Sequence, residues 1–148
     1  MAKLGGEVKQ VFRSKVDAVR TRAAIADLDK ITAATTEATS AQKIGADTLK
    51  FVLQEQNHGV ARFTGQYTVR YSTEGDEVVW RTLEGNMVNE GRARVVARAD
   101  GGADVHWTQR IETEVPVPGL LARALAPVAT KIMEGSIQGY VARLLASA

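Results

Sequence analysis

The chain has 148 residues, of which 45% are apolar and 24% charged, and its 19 basic against 17 acidic side chains leave a formal charge of +2. This length predicts a single domain over residues 1–148, and the small net charge argues against a dedicated nucleic-acid binder. The absence of cysteine excludes disulfides, thiolate metal sites and cysteine nucleophiles, and without a signal-peptide pattern or a membrane-length apolar run we expect a soluble, cytoplasmic protein with no integral membrane segment.

The first predicted elements are a half-buried strand and two short helices. Apolar and charged residues alternate in the strand, and good capping residues precede both helices. Ser14 or Asp17 can cap the first helix, and Asp27 can cap the second. The predicted ranges are Glu7–Arg13 for the strand and Ala18–Ala26 and Leu28–Ala34 for the helices.

The middle of the chain predicts consecutive antiparallel strands joined by tight turns. Within each strand the apolar side chains fall on alternate residues, so one face of the sheet points inward. The weakly alternating segment Glu37–Ile44 is predicted as an edge strand. The remaining predicted strands are Leu49–Gln56, Val60–Ser72, Glu77–Leu83, Gly91–Ala99 and Val105–Val115.

The parity of the inward residues predicts three hairpin turns. When the inward residues of two paired strands are both odd-numbered or both even-numbered, the loop between the strands must have an odd number of residues. When one set is odd-numbered and the other even-numbered, the loop must have an even number. Asn57–Gly59 supplies three residues, and the segment Asp100–Ala103 can supply three. Glu74–Gly75 supplies two and would place Tyr71 opposite Val78.

The last predicted element is a long helix from Pro118 to about Ser147. Proline suits a first helical turn, whereas Pro127 lies inside and is expected to kink or briefly break the helix. Gly135 and Gly139 prolong the first of two apolar stripes with almost no side chain, leaving space on that face. The first stripe is Leu121, Leu125, Val128 and Ile132, and the second is Met133, Ile137, Tyr140 and Leu144.

This order of elements resembles the helix-grip fold of the START/Bet v1-like (SRPBCC) superfamily. The most similar stretch is GRARVVARADGGADVHWTQRIETEVPVPGLL, Gly91–Leu121, although Ala103 stands where relatives often have threonine. The resemblance implies an α+β fold, in which a curved antiparallel sheet wraps around a long C-terminal helix and two short helices follow the first strand. It also implies a cavity for an apolar or amphipathic small molecule, as in lipid carriers, plant allergens and aromatic polyketide cyclases.

Large rings and small residues on the inward face predict the wall of this cavity. The alternative is that the rings simply fill the core. The histidines do not suggest a metal site, because His58 falls in a turn and His106 has outward parity, and we predict no catalytic residue, metal or cofactor. The predicted ligand-binding residues are Phe51, Phe63, Tyr67, Tyr71, Trp80, Trp107, Gln109, Gly135 and Gly139.

The function predicted from these features is binding, transport or sequestration of a small hydrophobic or amphipathic ligand. One alternative is a cyclase or dehydratase in which Tyr67, Tyr71 or Gln109 polarises a carbonyl. Another is a structural module with a packed core. The basic segment Met1–Arg22 suits solvated surfaces better than weak contact with a membrane surface or an acidic partner.

Overall fold

The computed structural model describes residues 2–57 and 62–148 and has the α+β helix-grip architecture predicted from the sequence. The strands form one antiparallel sheet and a short separate ribbon, and the longest helix is C-terminal. In chain order the elements are β1 Ala2–Ser14, α1 Ala18–Ala26, α2 Leu28–Ala34, β2 Ala38–Lys43, β3 Thr48–Leu53, β4 Gln56–Asn57, β5 Arg62–Phe63, β6 Gln66–Glu74, β7 Glu77–Gly85, β8 Met87–Ala97, β9 Ala103–Val115 and α3 Gly119–Ala146.

The main sheet has seven strands in the order β1-β9-β8-β7-β6-β3-β2. The edge position predicted for Glu37–Ile44 is therefore confirmed, since β2 pairs only with β3. At the opposite edge β1 is longer than predicted, and it pairs with β9 from Ala2 opposite Val115 to Ser14 opposite Ala103. The C-terminal helix α3 packs against β1 and α2, so it closes one face of the sheet.

Both short helices have the predicted bounds because their caps are strong. The Asp17 carboxylate accepts a hydrogen bond from the Arg20 amide at 2.8 Å, and the Asp27 carboxylate accepts from the amides of Asp29 and Lys30 at 2.9 and 3.1 Å. The other predicted cap, Ser14, has a different role. Its hydroxyl lies 2.7 Å from that of Thr21, both fully buried.

The predicted inward parity is confirmed for β3, β6 and β7, but the predicted register of the β6–β7 hairpin is wrong. Glu74 pairs with Glu77, so the two-residue turn is Gly75–Asp76 and not Glu74–Gly75, and Tyr71 lies opposite Trp80 and not Val78. The physical reason is the backbone of Gly75, whose φ of +65° lies in the left-handed region that glycine favours. Moving the turn by one residue preserves the parity and therefore the buried face.

The segment predicted as one strand, Val60–Ser72, is divided in its described part. Arg62–Phe63 pairs with Gln56–Asn57 in the separate ribbon, and the main-sheet strand resumes at Gln66. Asn57 lies in a strand opposite Arg62, which is incompatible with the predicted three-residue turn over 57–59. His58 and Gly59 lie outside the described residues.

The β8–β9 hairpin pairs odd residues with odd residues, as predicted. The Arg98 amide donates to the Gly102 carbonyl at 2.8 Å, which leaves residues 99–101 as a three-residue loop. Ala97, which parity places on the inward face, is exposed, although its cross-strand partner Ala103 is fully buried. The β8 strand begins at Met87, four residues before the predicted start at Gly91.

The helix α3 is continuous over Gly119–Ala146 even though Pro127 lies inside it, so the predicted break is not found. Pro118 is its N-cap and not part of its first turn. The predicted second stripe is the buried one: Met133, Ile137 and Leu144 are 8%, 2% and 0% exposed. The first stripe is less covered, with Val128 at 58% and Ile132 at 56% exposed.

Candidate functional site

A cavity lies between the inward face of the sheet and the C-terminal half of α3. All three tyrosines and both tryptophans of the chain line it. The strands β6, β7 and β9 supply four of these rings, and α3 supplies Tyr140. The other lining residues are Ile25, Thr35, Glu37, Asn89, Gln109, Ile111, Ser136 and Ile137.

The aromatic rings form a connected wall because strand pairing places them side by side. Tyr71 and Trp80 are cross-strand partners, with ring centroids 6.3 Å apart, and the Trp80 and Trp107 centroids are 4.8 Å apart. Trp107 in turn meets Tyr140 of α3 edge-on at 6.1 Å. Gly91 makes room for this arrangement, because a Cβ there would collide with the Thr108 carbonyl and lie 2.8 Å from Cζ2 of Trp80.

The space inside is small. The volume open to the centre of a water-sized sphere is about 50 Å³. One buried water needs roughly 10–15 Å³ on that measure. The cavity therefore suits a single ring, a short chain or a few water molecules.

A chain of side-chain hydrogen bonds runs along one wall of the cavity. Trp107 Nε1–H donates to Gln109 Oε1 at 2.9 Å, and Gln109 Nε2–H donates to Asn89 Oδ1 at 2.7 Å. Asn89 Nδ2–H then donates to the Tyr67 hydroxyl oxygen at 3.2 Å. Because the indole group can only donate, it fixes the orientation of both amides and hence the direction of the chain.

Burial keeps the tyrosine hydroxyls protonated. Desolvation raises the pKa of Tyr67, Tyr71 and Tyr140 well above the ordinary value of 10.0. The negative charge of Glu37 adds to this effect on the pKa of Tyr67 and Tyr140, whereas the Asn89 hydrogen bond partly offsets it at Tyr67. These hydroxyls are therefore hydrogen-bond donors throughout the neutral pH range.

Glu37 is the one acidic or basic side chain among the described residues that line the cavity. It is half-buried just before β2, and it has no ion-pair partner within residues 2–57 and 62–148. The cation Arg143 lies close enough to lower the pKa of Tyr140, but its Nε–H donates to the Ala34 carbonyl at 2.9 Å and it is not among the lining residues.

The structure brings five of the predicted site residues together at the cavity: Tyr67, Tyr71, Trp80, Trp107 and Gln109. Phe51 is fully buried behind them, with its ring centroid 5.3 Å from that of Tyr67. Phe63 lies in the β4–β5 ribbon and lines a different surface groove. Neither phenylalanine therefore lines the cavity, although the sequence analysis selected both.

The predicted position of Gly135 and Gly139 opposite the aromatic wall is wrong. Gly135 is exposed, and a Cβ there would meet nothing within 4 Å, whereas a Cβ on Gly139 would lie 3.1 Å from the Arg143 guanidinium. The helix α3 is rotated so that its second apolar stripe faces the sheet. Ser136 and Ile137, which the sequence analysis did not select, line the cavity in their place.

Residues of the first stripe line a separate, mostly apolar groove near the N-terminal half of α3. Its open volume is about 180 Å³, and Leu125, Val128 and Ile132 line it together with Leu4 of β1. Ile111 lines both this groove and the cavity. The two spaces are therefore neighbours.

Asn89 is the polar site residue that the sequence analysis missed most clearly. It has the same odd parity as the inward residues Ala93 and Val95, so extending their alternation backwards along β8 would have placed it inward. Glu37 gave no comparable signal, because it precedes a weakly alternating edge strand. Tyr140 was recognised as part of an apolar stripe but not as a site residue.

The described residues contain no group of three or more histidine, cysteine, aspartate or glutamate side chains that could hold a metal ion. Within residues 2–57 and 62–148, the length and apolarity needed to cross a membrane are not found in any helix.

Comparison with known proteins shows the fold. No family model matches the chain, and no curated protein matches it in sequence. Among solved structures, a protein from Thermus thermophilus is similar with a TM-score of 0.68 and 20% identity, covering 96% of this chain and 99% of that one. A START superfamily protein from Mycobacterium smegmatis is similar with a TM-score of 0.65 and 15% identity, covering 95% and 99%.

The Zhui aromatase/cyclase from Streptomyces sp. R1128 is also similar, with a TM-score of 0.65 and 13% identity over 97% of this chain and 93% of that one. The chain thus has the helix-grip fold that the sequence analysis predicts, and it shares this fold with the START superfamily protein and the aromatase/cyclase.

Proposed function

We propose that the protein binds a small hydrophobic or amphipathic molecule in the cavity between the sheet and α3. The observation that carries this proposal is the concentration of aromatic residues: both tryptophans and all three tyrosines of the chain line this one space. A wall of rings with a few polar groups is typical of small-molecule sites.

Burial of apolar ligand surface against these rings would supply the binding free energy, at roughly 25 cal/mol per Å² before the cost of ordering the ligand. The small open volume favours a single-ring or short-chain ligand over an extended lipid. The raised pKa of the tyrosines favours binding over proton abstraction, because a protonated phenol does not act as a base at neutral pH.

The test uses two neighbouring exposed positions of α3, of which Ser136 lines the cavity and Gly135 does not. Ser136 lines the cavity and is exposed at its rim, so Ser136→Leu should narrow the cavity without overpacking the core. Gly135→Leu places the same side chain in open space and is the matched control. We expect ethylbenzene affinity, measured by ligand-observed NMR, to fall about tenfold or more in Ser136→Leu and to stay within about twofold in Gly135→Leu.

Native mass spectrometry of freshly purified protein would complement this measurement, because a co-purified molecule would reveal its chemical class. Equal ethylbenzene affinity in the two variants would contradict binding in this cavity. Absence of binding to the wild-type protein would contradict the proposed function itself and favour a packed structural module.

A further inference from the structure

We infer that the ligand of this cavity is neutral and carries an oxygen acceptor, such as a carbonyl group, which accepts a hydrogen bond from the Tyr67 hydroxyl. This inference rests on the proposed function and specifies the chemical class of the ligand. Its basis is the direction of the hydrogen-bond chain, which ends in the cavity on a donor.

The first step is the fixed direction of the chain. The Trp107 indole can only donate, so Gln109 must offer its oxygen to it and its nitrogen to Asn89. Asn89 must then offer its own nitrogen to Tyr67. Both amide oxygens are thus used within the chain, and the Tyr67 hydroxyl oxygen already accepts a hydrogen bond. The Tyr67 O–H is therefore free to donate a hydrogen bond.

The second step is that none of the described residues accepts that proton. Within the described residues, the Tyr67 hydroxyl is not a donor in any hydrogen bond, and the hydroxyls of Tyr71 and Tyr140 have no hydrogen-bond partner. All three line the same cavity. These hydroxyls are open to the cavity, so the carbonyl oxygen of a bound ligand could accept their hydrogen bonds in place of water.

The third step concerns charge. Among the described lining residues Glu37 is the only acidic side chain, and no lysine or arginine is there to balance the charge of a ligand carboxylate. A ligand carboxylate would therefore be desolvated beside a negative charge, which is strongly unfavourable. An ammonium group has only hydrogen-bond donors, so it could not accept the hydrogen bond from the Tyr67 hydroxyl.

The experiment compares four single-ring molecules of similar size: acetophenone as the neutral carbonyl, benzoate as the anion, benzylammonium as the cation and ethylbenzene as the hydrocarbon. Each is titrated into the wild-type protein and into Tyr67→Phe, with affinity and side-chain amide shifts followed by protein NMR. We expect acetophenone to bind best and to perturb the side-chain amides of Asn89 and Gln109 and the Trp107 indole N–H, which belong to the chain.

In Tyr67→Phe we expect acetophenone affinity to fall about fivefold to tenfold, as for loss of one neutral hydrogen bond, while ethylbenzene affinity stays within about twofold. Ethylbenzene thus serves as the internal control for the integrity of the cavity. Glu37→Gln should raise benzoate affinity more than acetophenone affinity if the carboxylate excludes anions.

The outcomes separate the two proposals. The carbonyl inference would be overturned if ethylbenzene binds and Tyr67→Phe lowers the affinities of ethylbenzene and acetophenone equally. It would also be overturned if ethylbenzene binds and the variant keeps the full acetophenone affinity. In both cases the proposed binding function would stand. Tightest binding of benzylammonium would replace it with a cation site formed by the rings and Glu37. If none of the four molecules binds the wild-type protein, both proposals are wrong.

Discussion

At the scale of single residues, Gln109 connects the polar and aromatic parts of the cavity. It is 7% exposed, accepts from the Trp107 indole and donates to Asn89, so both ends of its amide are used. A buried polar chain of this kind stabilises a fold only while every member has a partner. Removing the central amide leaves a donor at Trp107 and an acceptor at Asn89 without partners.

We therefore predict that Gln109→Leu lowers the free energy of unfolding by about 1–3 kcal/mol, the cost of leaving buried polar groups unpaired. Urea denaturation followed by tryptophan fluorescence measures this change. The matched control is Gln138→Leu on the exposed side of α3, which should shift the free energy of unfolding by no more than about 0.5 kcal/mol. Similar stability of the two variants would contradict a stabilising role for the side-chain hydrogen bonds of Gln109.

At the scale of elements, local chemistry fixes the helices more firmly than the hairpins. The side chain of Asp27 accepts two amide hydrogen bonds at the start of α2, and this helix leads directly to Thr35 and Glu37 at the cavity. Its N-terminus therefore depends on a single side chain whose effect is visible in the sequence. Hairpin registers, in contrast, depend on which residues of a turn adopt special backbone conformations.

We predict that Asp27→Ala lowers the free energy of unfolding by about 1 kcal/mol, because the amides of Asp29 and Lys30 lose their acceptor. Asp27→Asn keeps an acceptor oxygen and should recover most of this stability. Urea denaturation gives the free energies, and hydrogen exchange of the two amides shows whether the loss is at the cap. An Asn variant as unstable as the Ala variant would point to the charge and not to the cap.

The sequence predicted which face of each strand points inward, but not where each turn lies or how α3 is rotated. Alternation correctly placed Tyr67, Trp80 and Trp107 on the inward face, because the side of a strand follows from parity alone. Parity is unchanged when a turn moves by one residue, so it could not distinguish Gly75–Asp76 from Glu74–Gly75. The rotation of α3 was equally undetermined, since both of its stripes are apolar and only packing against β1 and α2 selects one.

At the scale of the whole molecule, the cavity is assembled from parts of the chain that are far apart in sequence. Tyr67 and Tyr71 come from β6 and Tyr140 from α3, and β7 and β9 supply the two tryptophans between them. Since every tyrosine of the chain lies at this one place, ionisation of the tyrosines reports on global unfolding.

This arrangement predicts a loss of stability in alkali. The pKa of each tyrosine is raised in the folded state above the ordinary value of 10.0, so below about pH 10 both states keep their phenol protons and this contribution is fully present. Above that pH the unfolded chain loses protons first. The free energy of unfolding then falls with pH, by up to about 1.4 kcal/mol per pH unit for each tyrosine.

Urea denaturation between about pH 9 and 11.5, with tyrosinate absorbance recorded in parallel, tests this prediction. Lysine side chains also titrate in this range, so the decisive comparison is with Tyr71→Phe, which removes one phenol whose hydroxyl has no hydrogen-bond partner among the described residues. The free energy of unfolding of this variant should fall less steeply with pH than that of the wild type, because one of three tyrosines no longer contributes to the slope. In the wild type, tyrosinate should form together with unfolding, whereas ionisation of the phenols in the folded protein would show that the cavity is open to water.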